Sequence, residues 1–233
     1  MALVAATIGG IAGYGTGALM PLVLVPIVGA EPVVPIIAIS ALLTNASRSM
    51  AFRPLIDWRR AGIVVAAAVP SCVLGAFGYT LLTGRGAMLV IGTMMVASVP
   101  LRWLLRHHGF HLHQRGLGAA AFGWGFVVGG TTGAGAILLA LLMAAGLQGG
   151  AVIATDAAIS IVMGLTKLAV FGFAGVVTAQ VVAIALLIGG IAFPGTYLAK
   201  WLVSHLPLHL HTAILDAVVI IGGTVMIYGA FTR

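Results

Sequence analysis

Charge is what this chain has least of. Only 6% of its 233 residues are Asp, Glu, Lys or Arg, against about 25% in an ordinary soluble domain, too few to cover a water-facing surface. Charge this scarce beside so many apolar residues also excludes a disordered chain, which needs the opposite balance. Cysteine is almost missing: Cys72 stands alone, so no disulfide can form within the chain. Its place inside an apolar run reads as a small buried hydrophobe. Period-two alternation is absent, which argues against a transmembrane barrel. No basic stretch precedes the first apolar run, so no cleavable signal is expected and the first segment should remain in the mature protein.

What is present is apolar. Hydrophobic residues make up 61% of the chain and mean hydropathy is +1.21, the composition of a polytopic membrane protein. The apolar segments run over 2–28, 33–52, 61–82, 86–105, 117–145, 150–172, 176–203 and 212–231. A spanning helix needs about 20 apolar residues, and backbone in lipid must satisfy its own hydrogen bonds, so helices are the default. The expected fold is all-α, integral to the lipid bilayer, in two repeats of about four segments each. Glycine is plentiful, with 33 residues, and small residues let membrane helices approach closely.

Eleven Lys and Arg face four Asp and Glu, a formal charge of +7. The basic residues sit between apolar runs, where they set orientation rather than bind nucleic acid. Arg48, Arg53, Arg59 and Arg60 follow segment two, and Arg102, Arg106 and Arg115 follow segment four. Both clusters fall on one side, which the positive-inside rule makes cytoplasmic. Trp58, Trp103 and Trp201 stand at segment ends and fit an aromatic belt. The longest polar stretch, 106–115, divides the chain into a first transmembrane repeat (1–105), a basic cytoplasmic loop (106–116) and a second repeat (117–233).

The halves carry related glycine motifs. Gly13-Tyr14-Gly15-Thr16-Gly17-Ala18-Leu19 has a counterpart in Thr131-Thr132-Gly133-Ala134-Gly135-Ala136-Ile137. Each motif precedes an apolar helix, and each second segment carries small polar residues and a base. Those are Ser40, Thr44, Asn45 and Arg48 in the first half, and Asp156, Ser160, Thr166 and Lys167 in the second. Internal repeats are a common transporter design, with the site where the repeats meet.

Glycines this dense should interrupt a helix, since each costs about 1 kcal/mol relative to Ala in a helix interior. Neither piece of a broken first segment spans the ~30 Å hydrocarbon core alone. A re-entrant hairpin follows as one path: in along Ala2–Ala12, a turn at Gly13–Gly17, and back along Ala18–Val28, with Pro21 in the first turn of the returning helix. Segment five permits the same path, turning at Gly130–Gly135. With two hairpins the repeats are inverted and both termini lie outside; with eight full spans they are parallel and both lie inside. A half-helix that begins at mid-membrane points unpaired N–H groups and the positive end of its dipole inward, which suits a small anion. The competing reading is that these glycines only pack helices together.

Charged residues inside segments are costly and often functional. Arg48 and Lys167 are candidate attractors of the anion, with snorkelling to the interface as the alternative. Asp156 is a candidate proton carrier or a cap at the start of segment six, while Glu31 and Asp216 read as interfacial and Asp57 belongs to the loop beside Trp58. Two histidine clusters, His107, His108, His111 and His113, and His205, His209 and His211, lack the carboxylate or cysteine neighbours usual at a zinc site. They read as interfacial loops, and neither metal nor cofactor is expected. No Gly-x-Ser-x-Gly, His-Glu-x-x-His or Walker lysine motif is present, so the chain does not read as an enzyme.

These features resemble the TauE/SafE family of sulfite and sulfonate exporters. The resemblance is carried by Gly9-Gly10-x-x-Gly13-Tyr14-Gly15-Thr16-Gly17-Ala18-Leu19-Met20-Pro21, by Gly129-Gly130-Thr131-Thr132-Gly133-Ala134-Gly135, and by Ala154-Thr155-Asp156-Ala157-Ala158-Ile159-Ser160. It covers essentially the whole chain. One departure is Ala140, which stands where the second motif would otherwise be followed by a proline. The resemblance implies export of a small sulfur oxyanion or organosulfonate, coupled to the proton gradient, across the bacterial inner membrane. The expected substrate contacts are Gly13, Gly15, Thr16, Gly17, Thr131, Thr132, Gly133 and Gly135 as backbone and hydroxyl donors. Asn45 and Ser160 are expected to line the site, Arg48 and Lys167 to attract the anion, and Asp156 to carry the proton. The alternatives are a passive anion channel using the same residues and a non-transporting membrane scaffold. Partners are the anion and the bilayer, and homo-oligomerisation is left open.

Overall fold

The computed structural model describes residues 15–107, 112–203 and 208–232, and no strand occurs among them. The helices are α1 (Gly15–Val28), α2 (Val33–Ala51), a short 3₁₀ turn (Arg53–Leu55), α3 (Trp58–Thr80), α4 (Gly84–His107), α5 (Gln114–Gly130), α6 (Gly135–Ala144), α7 (Gly150–Phe173), α8 (Ala179–Val203) and α9 (Leu208–Thr232). Four of them, α2, α3, α4 and α7, are long and apolar enough to cross a membrane. Side chains as large as Phe77, Phe126 and Phe173 lie exposed on the outside, as on helices that face hydrocarbon. The protein is an integral membrane protein.

Local sequence explains where helices start and stop. Asp57 caps α3 by accepting from the Arg60 backbone N–H at 2.9 Å, the usual service of Asp at this position. Gly175, at φ +74°, closes α7, and the next N–H, of Val176, returns to the Phe171 carbonyl at 3.0 Å. Pro21 departs from expectation. It lies six residues inside α1 rather than in the first turn, so it leaves the Gly17 carbonyl, four residues earlier, without its helical donor.

Segment five is two helices rather than one. α6 returns beside α5, and the Leu112 N–H donates to the Ala144 carbonyl at 2.8 Å, closing the open end of a hairpin. Ten residues of α6 rise only about 15 Å. In the first segment, the arm expected along Ala2–Ala12 and the turn residue Gly13 lie outside the described residues.

The packing interlocks the chain. α2 lies against α7 and α8, α3 against α5 and α7, α4 against α9 and α6, and α1 against α2 and α9. One core joins α1, α2 and α4 to α8 and α9 through Met20, Ile36, Ile91, Ile188 and Met226. A second joins α3 to α5, α6 and α7 through Ala68, Trp124, Leu138, Ile159 and Met163. Each core therefore draws on both sides of the central loop. The closest approach is α3 on α5: a side chain at Gly125 would strike Ala68, and one at Gly129 would strike the Cys72 carbonyl, the small-residue contact of membrane helices. The end of α6 lies near Arg60 at the start of α3. The end of α1 lies at the other end of α3, where the Tyr79 hydroxyl donates to the Ala30 carbonyl at 2.8 Å.

Candidate anion-binding site

The turn between α5 and α6 leaves backbone groups to be satisfied deep inside the protein. α5 stops because Thr131 is extended (φ −151°, ψ −173°) and Gly133 adopts φ +80°, a conformation that glycine alone takes at no steric cost. The last carbonyls of α5 and the first N–H groups of α6 thereby lose helical partners. The carbonyl side is filled. Lys167 Nζ, from α7, donates to Val128 O at 2.8 Å and to Thr131 O at 3.0 Å, and Trp124 Nε1 donates to Ala134 O at 2.9 Å. The amide side is not. The N–H groups of Thr131 through Ala136 meet no acceptor among the described residues, although Thr131, Thr132 and Ala134 are buried.

The first glycine motif meets this turn directly. The Thr132 hydroxyl donates to Gly17 O at 2.5 Å, the carbonyl that Pro21 leaves free. A Cβ at Gly17 would lie 3.1 Å from the Gly133 nitrogen, tighter than side chains ordinarily pack, so the two backbones come this close where Gly17 carries no side chain. Gly15 and Thr16 lie in α1 just ahead of this contact. Gly135 opens α6.

Lys167 gives the turn its electrostatics. The residue is 6% exposed, and the ion pairs among the described residues are Arg48–Asp156 and Asp57–Arg60. The Lys167 ammonium is thus held by carbonyl dipoles, with no carboxylate beside it. A buried charge without a counterion is costly, and an anion entering the turn would relieve that cost.

The other intramembrane charges gather elsewhere. Arg48 Nη2 pairs with Asp156 Oδ2 at 2.8 Å, and Arg48 Nη1 donates to Asn45 Oδ1 at 3.2 Å. Beside them the Thr155 hydroxyl accepts from the Asp57 N–H at 3.0 Å, tying α7 to the start of α3. Asp156 is 2% exposed, and its Oδ1 has no partner among the described residues. Neither interfacial alternative holds. Arg48 turns inward to Asp156 instead of snorkelling, and Gly149, not Asp156, precedes α7. Lys167 lies eleven residues beyond Asp156, about 16 Å further along the helix.

The expected site residues therefore fall into two places. Gly17, Thr131, Thr132, Gly133, Gly135 and Lys167 meet at the turn; Asn45, Arg48 and Asp156 form the ion-pair cluster; Ser160 lies between, half-buried on α7. Sequence reasoning missed Trp124 and Ser47. Trp124 is the one indole inside the α5–α6 hairpin, a donor that needs a partner once buried, and that was its signal. Of the histidines, His108, His111 and His205 lie outside the described residues. A cavity of about 510 Å³ opens between α3, α4 and α5 and reaches Gly130. Its lining carries no charged residue, so it does not suit an anion.

The family described as Sulfite exporter TauE/SafE matches residues 1–226. The chain belongs to this family. No curated protein and no solved structure matches it. Membership makes the chain a membrane transporter of the TauE/SafE type, with a small anion as the implied substrate. The hairpin turn, the Lys167 cap and the Arg48–Asp156 pair all lie inside the TauE/SafE match.

Proposed function

We propose that this TauE/SafE member is a proton-coupled secondary transporter of the bacterial inner membrane that exports sulfite or an organosulfonate, with the anion bound in the 131–136 turn against the start of α1. The observation that carries this reading is Lys167, a buried ammonium without a carboxylate neighbour, beside N–H groups that meet no acceptor among the described residues. A sulfur oxyanion presents several acceptor oxygens to such donors at once, and charge-assisted hydrogen bonds in a dry site are the strong ones. Chloride, with no oxygens to orient, would use this donor set less well.

The helix pairings favour two inverted repeats, with α1 matching α6, α2 matching α7, α3 matching α8 and α4 matching α9. A two-fold axis relating the halves would pair α2 with α7 and α4 with α9. It would also match α2·α8 with α3·α7, and α4·α6 with α9·α1, and all of these contacts occur. The ends of α6 and α1 lie at opposite ends of α3, which favours inversion over parallel repeats. In that arrangement the α5–α6 hairpin is re-entrant from the cytoplasmic side and both termini lie outside.

The test is sulfite flux in proteoliposomes of the purified protein, with and without a proton gradient, and with thiosulfate, methanesulfonate and chloride as competitors. Saturable flux that responds to the gradient and to the oxyanions supports the exporter. Flux that ignores the gradient and never saturates would mean a channel, and no flux of any of these anions removes the reading.

A further inference from the structure

We propose that a bilayer phospholipid binds the groove between α3, α4 and α5, with an acyl chain in the groove and a zwitterionic headgroup between Arg85 and Glu31. The site is separate from the anion turn and does not depend on the transporter reading.

Helix packing leaves the groove open. α3 and α4 are consecutive and joined by residues 81–83 alone, an arrangement that usually lays two helices side by side. Here α3 lies against α5 and α7, and α4 against α9 and α6; the two share at most a marginal contact among the described residues. The wedge between them is the cavity of about 510 Å³. Gly78 and Tyr79 line it from α3, Leu89, Thr93 and Ala97 from α4, and Gly130 from α5.

The groove calls for hydrocarbon. Walls this apolar offer water too few polar partners, and apolar cavities of even ~150 Å³ stay dry and take up benzene. Left empty, the walls would forgo dispersion contacts. Lipid stands outside: Leu74 and Phe77 on α3 and Phe126 on α5 are more than half exposed, as on a surface that meets acyl chains.

Its shape suits a chain better than a helix. From Leu89 to Ala97 the groove follows α4 for about 12 Å. Spread over that length, its volume leaves a cross-section of about 40 Å², roughly half of what a helix ~10 Å across fills. A helix from a second copy is too thick, whereas an extended hydrocarbon chain enters.

The mouth carries charges of both signs. α3 starts among Arg59 and Arg60, on the side that the basic residues make cytoplasmic, so its end and the start of α4 lie toward the outer leaflet. Arg85, Leu89, Thr93 and Ala97 stand four apart and share one face of α4, which sets the exposed Arg85 one turn above the groove wall. Side chains lean toward a helix N-terminus, here toward the interface, where a guanidinium meets phosphate. On the other side, the Tyr79 hydroxyl holds the Ala30 carbonyl. The next residue, Glu31, is exposed, with Oε1 3.6 Å from where a Cβ of Gly84 would stand. One guanidinium and one carboxylate match the phosphate and the primary ammonium of a phosphoethanolamine head. A phosphoglycerol head would bring Glu31 no cation.

Native mass spectrometry tests the site. Purified, delipidated wild type is given equal amounts of phosphatidylethanolamine and phosphatidylglycerol with the same acyl chains, and should retain one phosphatidylethanolamine in preference. At Gly78 a Cβ meets nothing within 4 Å, so Gly78→Leu fills the groove with its own side chain. That variant should keep the wild-type unfolding temperature and lose the lipid. Arg85→Gln should weaken retention about fivefold, the order expected for one basic residue at a lipid surface. Glu31→Gln should shift the preference toward phosphatidylglycerol. Wild type that retains neither lipid, or that prefers phosphatidylglycerol, overturns the proposal, as does undiminished retention by Gly78→Leu. A wild-type dimer that Gly78→Leu converts to monomer also overturns it, because the groove would then join two copies. If Gly78→Leu does not fold, the surface variant Arg85→Gln decides alone, and unchanged retention there overturns the proposal.

Discussion

The Thr132 hydroxyl reaches across 115 residues of sequence to the carbonyl of Gly17. Pro21 withholds the N–H which that carbonyl would accept from in an unbroken helix, and Thr132 supplies the missing donor from the other half of the chain. The bond fixes the two glycine motifs against each other at the 131–136 turn. Thr132→Val keeps the shape and removes the donor, leaving a buried carbonyl unsatisfied at a cost of about 1–3 kcal/mol. Sulfite flux should be lost while membrane insertion and monodispersity persist, and Thr132→Ser should restore it. Normal flux in Thr132→Val would sink the assignment of this turn as the site.

Gly133 offers a backbone version of the same test. At φ +80° a side chain costs about 1–2 kcal/mol. Gly133→Leu should abolish transport in protein that still inserts, as measured by flux per inserted molecule.

Lys167 has two duties that substitution can separate. Its ammonium caps the carbonyls of Val128 and Thr131, and its charge faces the turn. Glutamine can donate to one of those carbonyls without the charge, whereas methionine can do neither. Lys167→Gln should fold and bind sulfite at least tenfold more weakly, an order-of-magnitude expectation for losing a charge-assisted contact. Lys167→Met should in addition lower the thermal unfolding temperature in detergent. If Lys167→Gln binds sulfite as wild type does, the lysine is a cap and not an attractor.

Much of this was legible beforehand because membrane sequence is so constrained. Apolar runs of spanning length located the helices, and the duplicated glycines placed a turn at Gly130–Gly135, within which the structure breaks the helix at 131–134. The approach of Gly17 to Gly133 was foreshadowed by the same duplication. What could not be read was the partnering. Nothing in the sequence says that Asp156 belongs to Arg48, 108 residues away, rather than to Lys167 on its own helix. Lys167 looked like a free attractor because the carbonyls it caps exist only once α5 stops at Gly130. Pro21 was misplaced because a glycine-rich pattern does not say how far a helix reaches ahead of a proline, and here it reaches back at least to Gly15.

Gly129 separates packing from function. Its neighbour across the helix crossing is the Cys72 carbonyl, and a larger residue would force α5 off α3, at about 1–3 kcal/mol for overpacking and occasionally more. Gly129→Leu should therefore lower the yield of folded protein and its unfolding temperature. A scaffold whose glycines serve only to pack helices predicts that Thr132→Val behaves in the same way. A transporter predicts that Gly129→Leu loses protein while Thr132→Val loses turnover, and size-exclusion yield beside flux per molecule distinguishes the two.

Asp57 governs a pH dependence outside the membrane-spanning segments. The Arg60 backbone N–H, with smaller help from its guanidinium, holds the Asp57 carboxyl below the usual carboxylate range against a modest opposing effect of burial. A carboxyl whose folded pKa is depressed adds stability above its unfolded pKa of about 3.9 and loses it as pH falls through the lower folded value. Wild type should thus be stabilised by Asp57 at neutral pH and should lose that contribution only below about pH 4. Asn caps helices as well as Asp does, so Asp57→Asn keeps the cap and removes the titration. Asp57→Ala removes both, at about 1 kcal/mol for the lost cap. Unfolding temperatures measured from pH 7 down to pH 3 should show Asp57→Ala displaced downward at neutral pH and Asp57→Asn nearly level with wild type there, with the acid limb shallower in both. A wild-type acid limb unchanged by either substitution would mean that the ion pair with Arg60, which is largely open to water, and the cap contribute nothing to acid sensitivity, and that it must be sought in the buried Arg48–Asp156 pair.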